Sequence, residues 1–356
     1  MNRTVFVNAR FLSQSVTGVQ RYAIELSKRL RQAPGDINFR FLTPNNILHH
    51  DLAETLGAEI CGRLTGHAWE QLELPYYTRG HLLLSLCNTA PLSKRHQIVT
   101  FHDAAVFAMP DSFSPAFRNW YKVLMPGLGR VAQRIITISE FSKRELMHYC
   151  HVPERKLTVT YQSGEQILTY PPDPSILGKH DLTERPFVFA VSSLNPSKNF
   201  QAVIEAANIL GDRGFDFVIA GGSNSKVFQA SQQDLSGNVK YLGYVSNEEL
   251  RALYEHAACY LMPSLYEGFG LTPLEAMTCG CPVLVSNAAS LPEVCGDAAL
   301  YCDPRSPEEI AAKLQRLMGD AALRETLRQK GLKRAEQFSW DKCALETLAV
   351  VERVLA

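Results

Sequence analysis

At 356 residues, with 46% hydrophobic and 20% charged side chains, the chain is long enough for two compact cores and holds no apolar run long enough for a membrane-spanning helix. Formal charge is zero but uneven: residues 1–165 hold 19 Lys and Arg against 13 Asp and Glu, and residues 166–356 hold 17 against 23. The first half, with eight of the ten histidines, is therefore the half expected to meet an anionic acceptor or a membrane surface peripherally; no nucleic-acid partner is expected.

Val5-Phe-Val reads as a first strand, not as the apolar stretch of a secretion signal. Val19, Tyr22, Ala23, Leu26 and Leu30 then fall on one helical face. Strand-like runs return at Leu82-Leu-Leu-Ser, Ile98-Val-Thr-Phe and Arg134-Ile-Ile-Thr-Ile, the last leading into a helix over 141–149 with Ser139 as N-cap. Before it, Arg118 to Arg134 mixes basic and aromatic residues. Two readings stand for this stretch, a membrane-interfacial helix and an ordinary core-facing one, and Pro126 and Gly127 interrupt it.

Four prolines break the alternation between about 165 and 186, and the domain linker is placed there. The rhythm resumes with Phe187-Val-Phe-Ala-Val, a helix over 200–212, Phe215 to Ala220, Val239-Lys-Tyr-Leu, a helix over 247–257, Cys259-Tyr-Leu-Met, a helix over 273–279 and Pro282-Val-Leu-Val. The expectation is an α/β protein of two Rossmann-like, doubly wound domains facing each other across a cleft. Its parts are an N-terminal domain 1–165, a linker 166–186, a C-terminal domain 187–338, and a last helix 339–356 packing back on the N-terminal domain. Nine scattered cysteines without a C-x-x-C fit reduced thiols in the cytoplasm, and Cys279-Gly-Cys281 has no partner pair to make a metal site.

After Cys259-Tyr-Leu-Met comes Pro263-Ser-Leu-Tyr-Glu-Gly-Phe-Gly-Leu-Thr-Pro-Leu-Glu. Two glycines let the backbone approach a ligand, and a helix start at Thr272-Pro273 offers free N–H groups to a phosphate. Glu267 and Glu275 are placed to accept hydrogen bonds from sugar hydroxyls. A rival reading makes Thr272 and Glu275 a capping box, in which Glu275 only satisfies the helix end.

The Glu267-to-Glu275 spacing, with Leu242-Gly-Tyr-Val, Leu253-Tyr, Gly280-Cys-Pro-Val and Ser290-Leu-Pro-Glu-Val-Cys-Gly, resembles the GT4 family of retaining glycosyltransferases with the GT-B fold. The resemblance implies that Glu267 contacts donor-sugar hydroxyls and Glu275 the ribose, while the loop Gly268, Phe269, Gly270, Leu271 and Thr272 offers N–H groups to sugar and phosphates. It assigns the diphosphate to Lys198, with Ser193 standing where many members carry an arginine. It places Gly18 near the donor phosphates and brings His102, in Phe-His-Asp, to the donor sugar and reacting centre. Taken alone, His102 has a structural reading as well, and capping explains Ser139 and Ser142.

No Asp-x-Asp occurs, and the leaving phosphate in such enzymes takes the acceptor proton, so neither metal nor other cofactor is expected. The donor is expected to be GDP-mannose or a UDP-hexose, and the acceptor a glycan or a polyprenyl-diphosphate-linked glycan of a surface polysaccharide. Competing readings are a nucleotide-sugar epimerase and a non-catalytic nucleotide-sugar-binding subunit. The absence of G-x-G-x-x-G and of a P-loop speaks against a dehydrogenase or NTPase.

Overall fold

A computed structural model describes residues 3–191, 195–221 and 238–356. The chain divides into two compact units, one of residues 1–162 and 340–356 and the other of residues 163–339.

The first unit is built on a parallel sheet of seven strands: β1 (Arg3–Asn8), β2 (Ile37–Thr43), β3 (Glu59–Ile60), β4 (Leu82–Ser85), β5 (Gln97–Phe101), β6 (Arg134–Thr137) and β7 (Leu157–Val159). Their spatial order is β3-β2-β1-β4-β5-β6-β7. β4 and β5 are buried along their whole length, which is why they are mostly apolar, with only Ser85, Gln97 and Thr100 polar among their nine residues. β2, β3 and β7 lie toward the edges; Ile37-Asn-Phe-Arg-Phe-Leu-Thr alternates instead. The helix Pro115–Val131 continues through Pro126 and buries Tyr121, Leu124, Met125 and Leu128, so its inner face belongs to the core. A Cβ on Gly127 would stand 2.7 Å from Leu92 Cδ2 and one on Gly129 2.8 Å from Val152 Cγ2. These glycines let the helix sit close against its neighbours. The last helix, Trp340–Leu355, falls in this unit, with Trp340 fully buried edge-on to Tyr22.

Among its described residues the second unit has six parallel strands: β8 (Phe187–Val191), β9 (Asp216–Ala220), β10 (Val239–Gly243), β11 (Cys259–Met262), β12 (Val283–Ser286) and β13 (Ala299–Cys302). Their order is β10-β9-β8-β11-β12-β13. Alternation along β8 sends Phe187 and Phe189 into one core and Val188 and Ala190 into the other, so both faces of the sheet are covered. Ile167, Ile176, Leu177 and Leu182, from the segment expected to link the domains, are buried in the first of these cores. Prolines there interrupt periodicity without preventing the apolar residues from packing.

In each unit the strand order reverses between two adjacent central strands, β1 and β4 in the first and β8 and β11 in the second. Such a reversal leaves a crevice beyond the carboxyl ends of the strands, where ligands of doubly wound sheets bind.

Candidate active site

In the second unit the two loops with expected donor contacts leave the adjacent strands β8 and β11. The first is a short 3₁₀ turn, Pro196–Lys198, in which Asn195 Oδ1 accepts from Ser197 N at 2.9 Å. Asn199 follows in a left-handed conformation, φ 55°. Its amide donates to the carbonyls of Pro263, at 3.0 Å, and Pro304, at 2.6 Å. Leu265 N donates back to Ser197 O at 2.8 Å, so the two loops are stitched together. Lys198 Nζ consequently reaches Glu267 Oε1 at 2.6 Å. Ser193 lies outside the described residues.

The loop from Glu267 to Gly270 is held from behind by Ser290. Its fully buried hydroxyl lies 2.9 Å from Glu267 O and 2.8 Å from Phe269 O, one hydrogen shared between two carbonyls. The Phe269 side chain is buried edge-on to Phe338, ring centroids 5.8 Å apart, so only its backbone is a candidate for ligand contact. Gly270 has φ 105°, and a Cβ there would stand 2.7 Å from Leu291 Cδ2. Both observations demand glycine.

The helix begins at Leu271 with Gly270 as its N-cap, two residues earlier than the composition suggests. That shift bears on the capping-box reading of Glu275. Thr272 is inside the helix and donates to Met262 Sδ at 3.4 Å, so it does not form the capping box. Glu275 is buried, and its carboxylate accepts from Gln166 Nε2 at 2.5 Å and Tyr254 OH at 3.3 Å. Burial, followed by the Glu275 charge, raises the Tyr254 phenol well above its ordinary range, so it remains a donor. Gly164 makes the Gln166 contact feasible, since a Cβ on it would meet Glu275 N at 2.7 Å.

Gln166, Tyr254, Ser290 and Asn199 support the site without being expected as site residues. Tyr254 and Ser290 lie in segments that carry the family resemblance; Gln166, 109 positions from Glu275, has no local signal.

Gly18 and His102 belong to the first unit. Gly18 opens the helix Gly18–Gln32 behind the N-cap Thr17, and a Cβ on it would meet nothing within 4 Å. Neither packing among the described residues nor a positive φ requires glycine here. His102, just past β5, is 3% exposed, and its Nε2 lies 2.9 Å from Leu86 O. A carbonyl only accepts, so Nε2 carries the proton and Nδ1 of the neutral ring is an acceptor. Burial lowers its pKa to about 4, partly opposed by the bond to Leu86. Tyr22 packs edge-on to the ring at 4.8 Å, Asn88 Oδ1 accepts from His102 N at 2.7 Å, and Ser142 Oγ donates to His102 O at 2.9 Å. Ser139 caps the next helix by accepting from Ser142 N at 2.9 Å. Thus Ser142 is both in a capped helix start and a support for His102.

Among the described residues no group of three or more His, Cys, Asp or Glu converges on a metal-sized site, and no helix is long and apolar enough to cross a membrane.

Two doubly wound, Rossmann-like units are the architecture of the GT-B class. Anabaena HepE, solved in complex with UDP and glucose, matches with a TM-score of 0.79 at 17% identity over 99% of this chain and 100% of its own. Residues 174–334 match the family described as glycosyl transferases group 1. The chain is 34% identical over 270 residues to the O-antigen chain mannosyltransferase B of Escherichia coli, covering 70% of this chain and 68% of the relative. It is 26% identical over 327 residues to the O-antigen chain mannosyltransferase RfbU of Salmonella typhimurium, covering 84% and 87%. The chain belongs to the group 1 glycosyltransferases.

Proposed function

We propose that the chain moves a mannosyl residue, with retention of configuration, from a nucleotide sugar to a glycan or lipid-linked glycan during surface-polysaccharide assembly at the cytoplasmic side of the membrane. The observation that carries this reading is the joining of Lys198 and Glu267 beside the helix start at Gly270, at the carboxyl ends of β8 and β11. A cation and helix N–H groups suit a diphosphate leaving group, and carboxylates suit sugar hydroxyls. The names of the O-antigen relatives support mannose, and GDP-mannose is the first donor to test, ahead of UDP-hexoses.

In the proposed reaction the bond from the anomeric carbon to the diphosphate oxygen breaks as the acceptor oxygen bonds to that carbon on the same face. The acceptor proton passes to the departing diphosphate. Lys198 and the N–H groups of 268–272 stabilise the negative charge of that group, and Glu267 holds the sugar. Neutral His102 offers Nδ1 as an acceptor to a sugar hydroxyl, while Gly18 leaves room for the donor phosphates. No metal is given a role.

The test is to challenge the protein with GDP-mannose, GDP-fucose, UDP-glucose, UDP-galactose and UDP-N-acetylglucosamine, with and without EDTA. Protection from thermal unfolding and slow donor hydrolysis are the readouts, with anomeric configuration read by NMR in any transfer product. GDP-mannose is expected to protect and hydrolyse equally well in EDTA. Binding of a UDP-sugar alone moves the donor assignment, an EDTA-sensitive reaction ends metal independence, and indifference to every donor overturns the reading.

A further inference from the structure

The chain passes between the two units twice, at residues 162–163 and again at 339–340, and the second passage has an aromatic residue on either side of it. Phe338 stands at the end of the second unit. Its buried ring has the guanidinium carbon of Arg334 over it at 5.0 Å and lies edge-on to Phe269 at 5.8 Å, with 84° between the planes. Arg334 is itself fixed, its Nε donating to Val294 O at 2.8 Å and its Nη2 to Glu293 O at 2.7 Å. Those carbonyls belong to the short helix that follows Ser290, the residue whose hydroxyl holds Glu267 O and Phe269 O. Buried Ser163 Oγ donates to Phe338 O at 3.0 Å and so ties the first passage to the second. The end of this unit is thus built into the support of the loop from Glu267 to Gly270.

Two residues later Trp340 opens the last helix, inside the first unit. Trp340 and Tyr22 are fully buried, with ring centroids 5.9 Å apart and 60° between the planes. Tyr22 in turn stands at 88° to the His102 ring, 4.8 Å away. Arg29 Nε donates to Asp341 Oδ1 at 2.7 Å, which pins the start of the last helix to the helix Gly18–Gln32 that carries Tyr22. The bond from Nε2 to Leu86 O sets the tautomer of His102. The tilt of the ring, and with it the aim of Nδ1, depends on what packs against it, and Tyr22 is the aromatic neighbour that does so.

Side chains packed at interior density move with their neighbours, because no void is left to absorb a displacement. Resting on the reading in which the loop 267–272 holds the donor and His102 meets the sugar, we propose that Phe338, Trp340 and Tyr22 are positioning residues of the transfer reaction, the segment Phe338-Ser339-Trp340 linking the donor loop, through Phe269, to the His102 ring, through Tyr22. Each packing contact in this linkage lies within one unit, and the step from one unit to the other is the backbone between Ser339 and Trp340. A displacement of Phe269 on donor binding passes through Phe338 to Trp340, and from there through Tyr22 to the aim of Nδ1. No contact with donor or acceptor is assigned to the three residues.

Fluorotryptophan labelling of the full chain tests the linkage, since it gives a fluorine resonance for each of Trp69, Trp120 and Trp340, the last assigned by its loss in W340F. GDP and UDP are the probes, with binding measured in parallel by calorimetry. A bound nucleotide should move the Trp340 resonance, and in F338L the nucleotide should still bind but leave that resonance in place. Donor hydrolysis gives a second readout. Y22L and W340L should lower kcat about 10-fold or more with KM changed by no more than about twofold, the pattern of a misplaced group and not of lost donor binding. Y22F and W340F, which keep an aromatic ring, should recover most of the loss. The double variant F338L/Y22L should lose less than the product of the two single losses, because both break one linkage. If W340L does not fold, Y22L and F338L decide.

A nucleotide that binds without moving the Trp340 resonance, a shift that persists in F338L, or leucine variants that turn over like the wild type overturn the linkage and leave the donor reading standing. Failure of both nucleotides to bind the wild type overturns the donor reading and the linkage with it.

Discussion

Lys198 Nζ and Glu267 Oε1 are 2.6 Å apart, so the cation assigned to the diphosphate and the carboxylate assigned to the sugar form one ion pair. The Glu267 side chain is only 12% exposed and that of Lys198 32%, which shields the pair more than a surface salt bridge. Any diphosphate that takes up Lys198 competes with Glu267 for it. The pair thereby couples phosphate binding to the freedom of the carboxylate.

Two substitutions separate these roles. K198A should weaken GDP or UDP binding by about 10- to 100-fold, the worth of a charge-assisted hydrogen bond. E267Q should leave nucleotide binding equal or tighter, since Lys198 loses its competitor, while transfer falls at least about 10-fold. Calorimetry with nucleotide, set beside transfer rates, checks both; weaker nucleotide binding in E267Q would show that the pair supports the phosphate site instead.

Glu275 depends on a side chain far away in sequence. Removing the Gln166 amide in Q166L leaves one buried carboxylate oxygen with less compensation, and the second unit should lose about 1–3 kcal/mol. Urea unfolding measures this. The same variant should weaken nucleotide binding if Glu275 needs Gln166 to face the ribose, and an unaffected affinity would make the contact purely structural.

His102 gives a pH signature. Its pKa falls from 6.5 in the open chain to about 4 in the fold, chiefly through burial. The unfolded chain therefore binds the additional proton between these values, so the contribution of His102 to stability is complete above pH 6.5 and is lost as pH falls toward 4. The full span corresponds to an upper limit of about 3 kcal/mol. Thermal melts of wild type and H102N across this window should converge at the acid end. Transfer by the wild type should show no His102 titration between about pH 6 and 8, and H102N should be impaired throughout.

Gly18 and Gly270 should respond in opposite ways. G270A forces a side chain into a left-handed backbone against Leu291 and should cost about 1–3 kcal/mol of stability together with donor binding. G18A meets open space, so its melting temperature should hold or rise slightly, alanine being the better helix residue, while nucleotide-sugar binding weakens. A G18A protein with unchanged donor affinity would remove Gly18 from the site.

Alternating apolar runs and helical periodicity were enough to read two parallel α/β units, because buried central strands such as β8 and β11 are apolar on both faces. The spacing from Glu267 to Glu275 singled out the loop now proposed to hold the donor for a similar reason, since a strand, a glycine-rich turn and a helix start are all local. The partners of those residues are not local. Lys198 meets Glu267 because Asn199 and Leu265 stitch two loops across the β8–β11 switch, and Glu275 turns to Gln166 because Gly164 lets two backbones touch. The helix start moved to Leu271 through a left-handed Gly270, which excludes the capping box that the letters Thr272 and Glu275 spell.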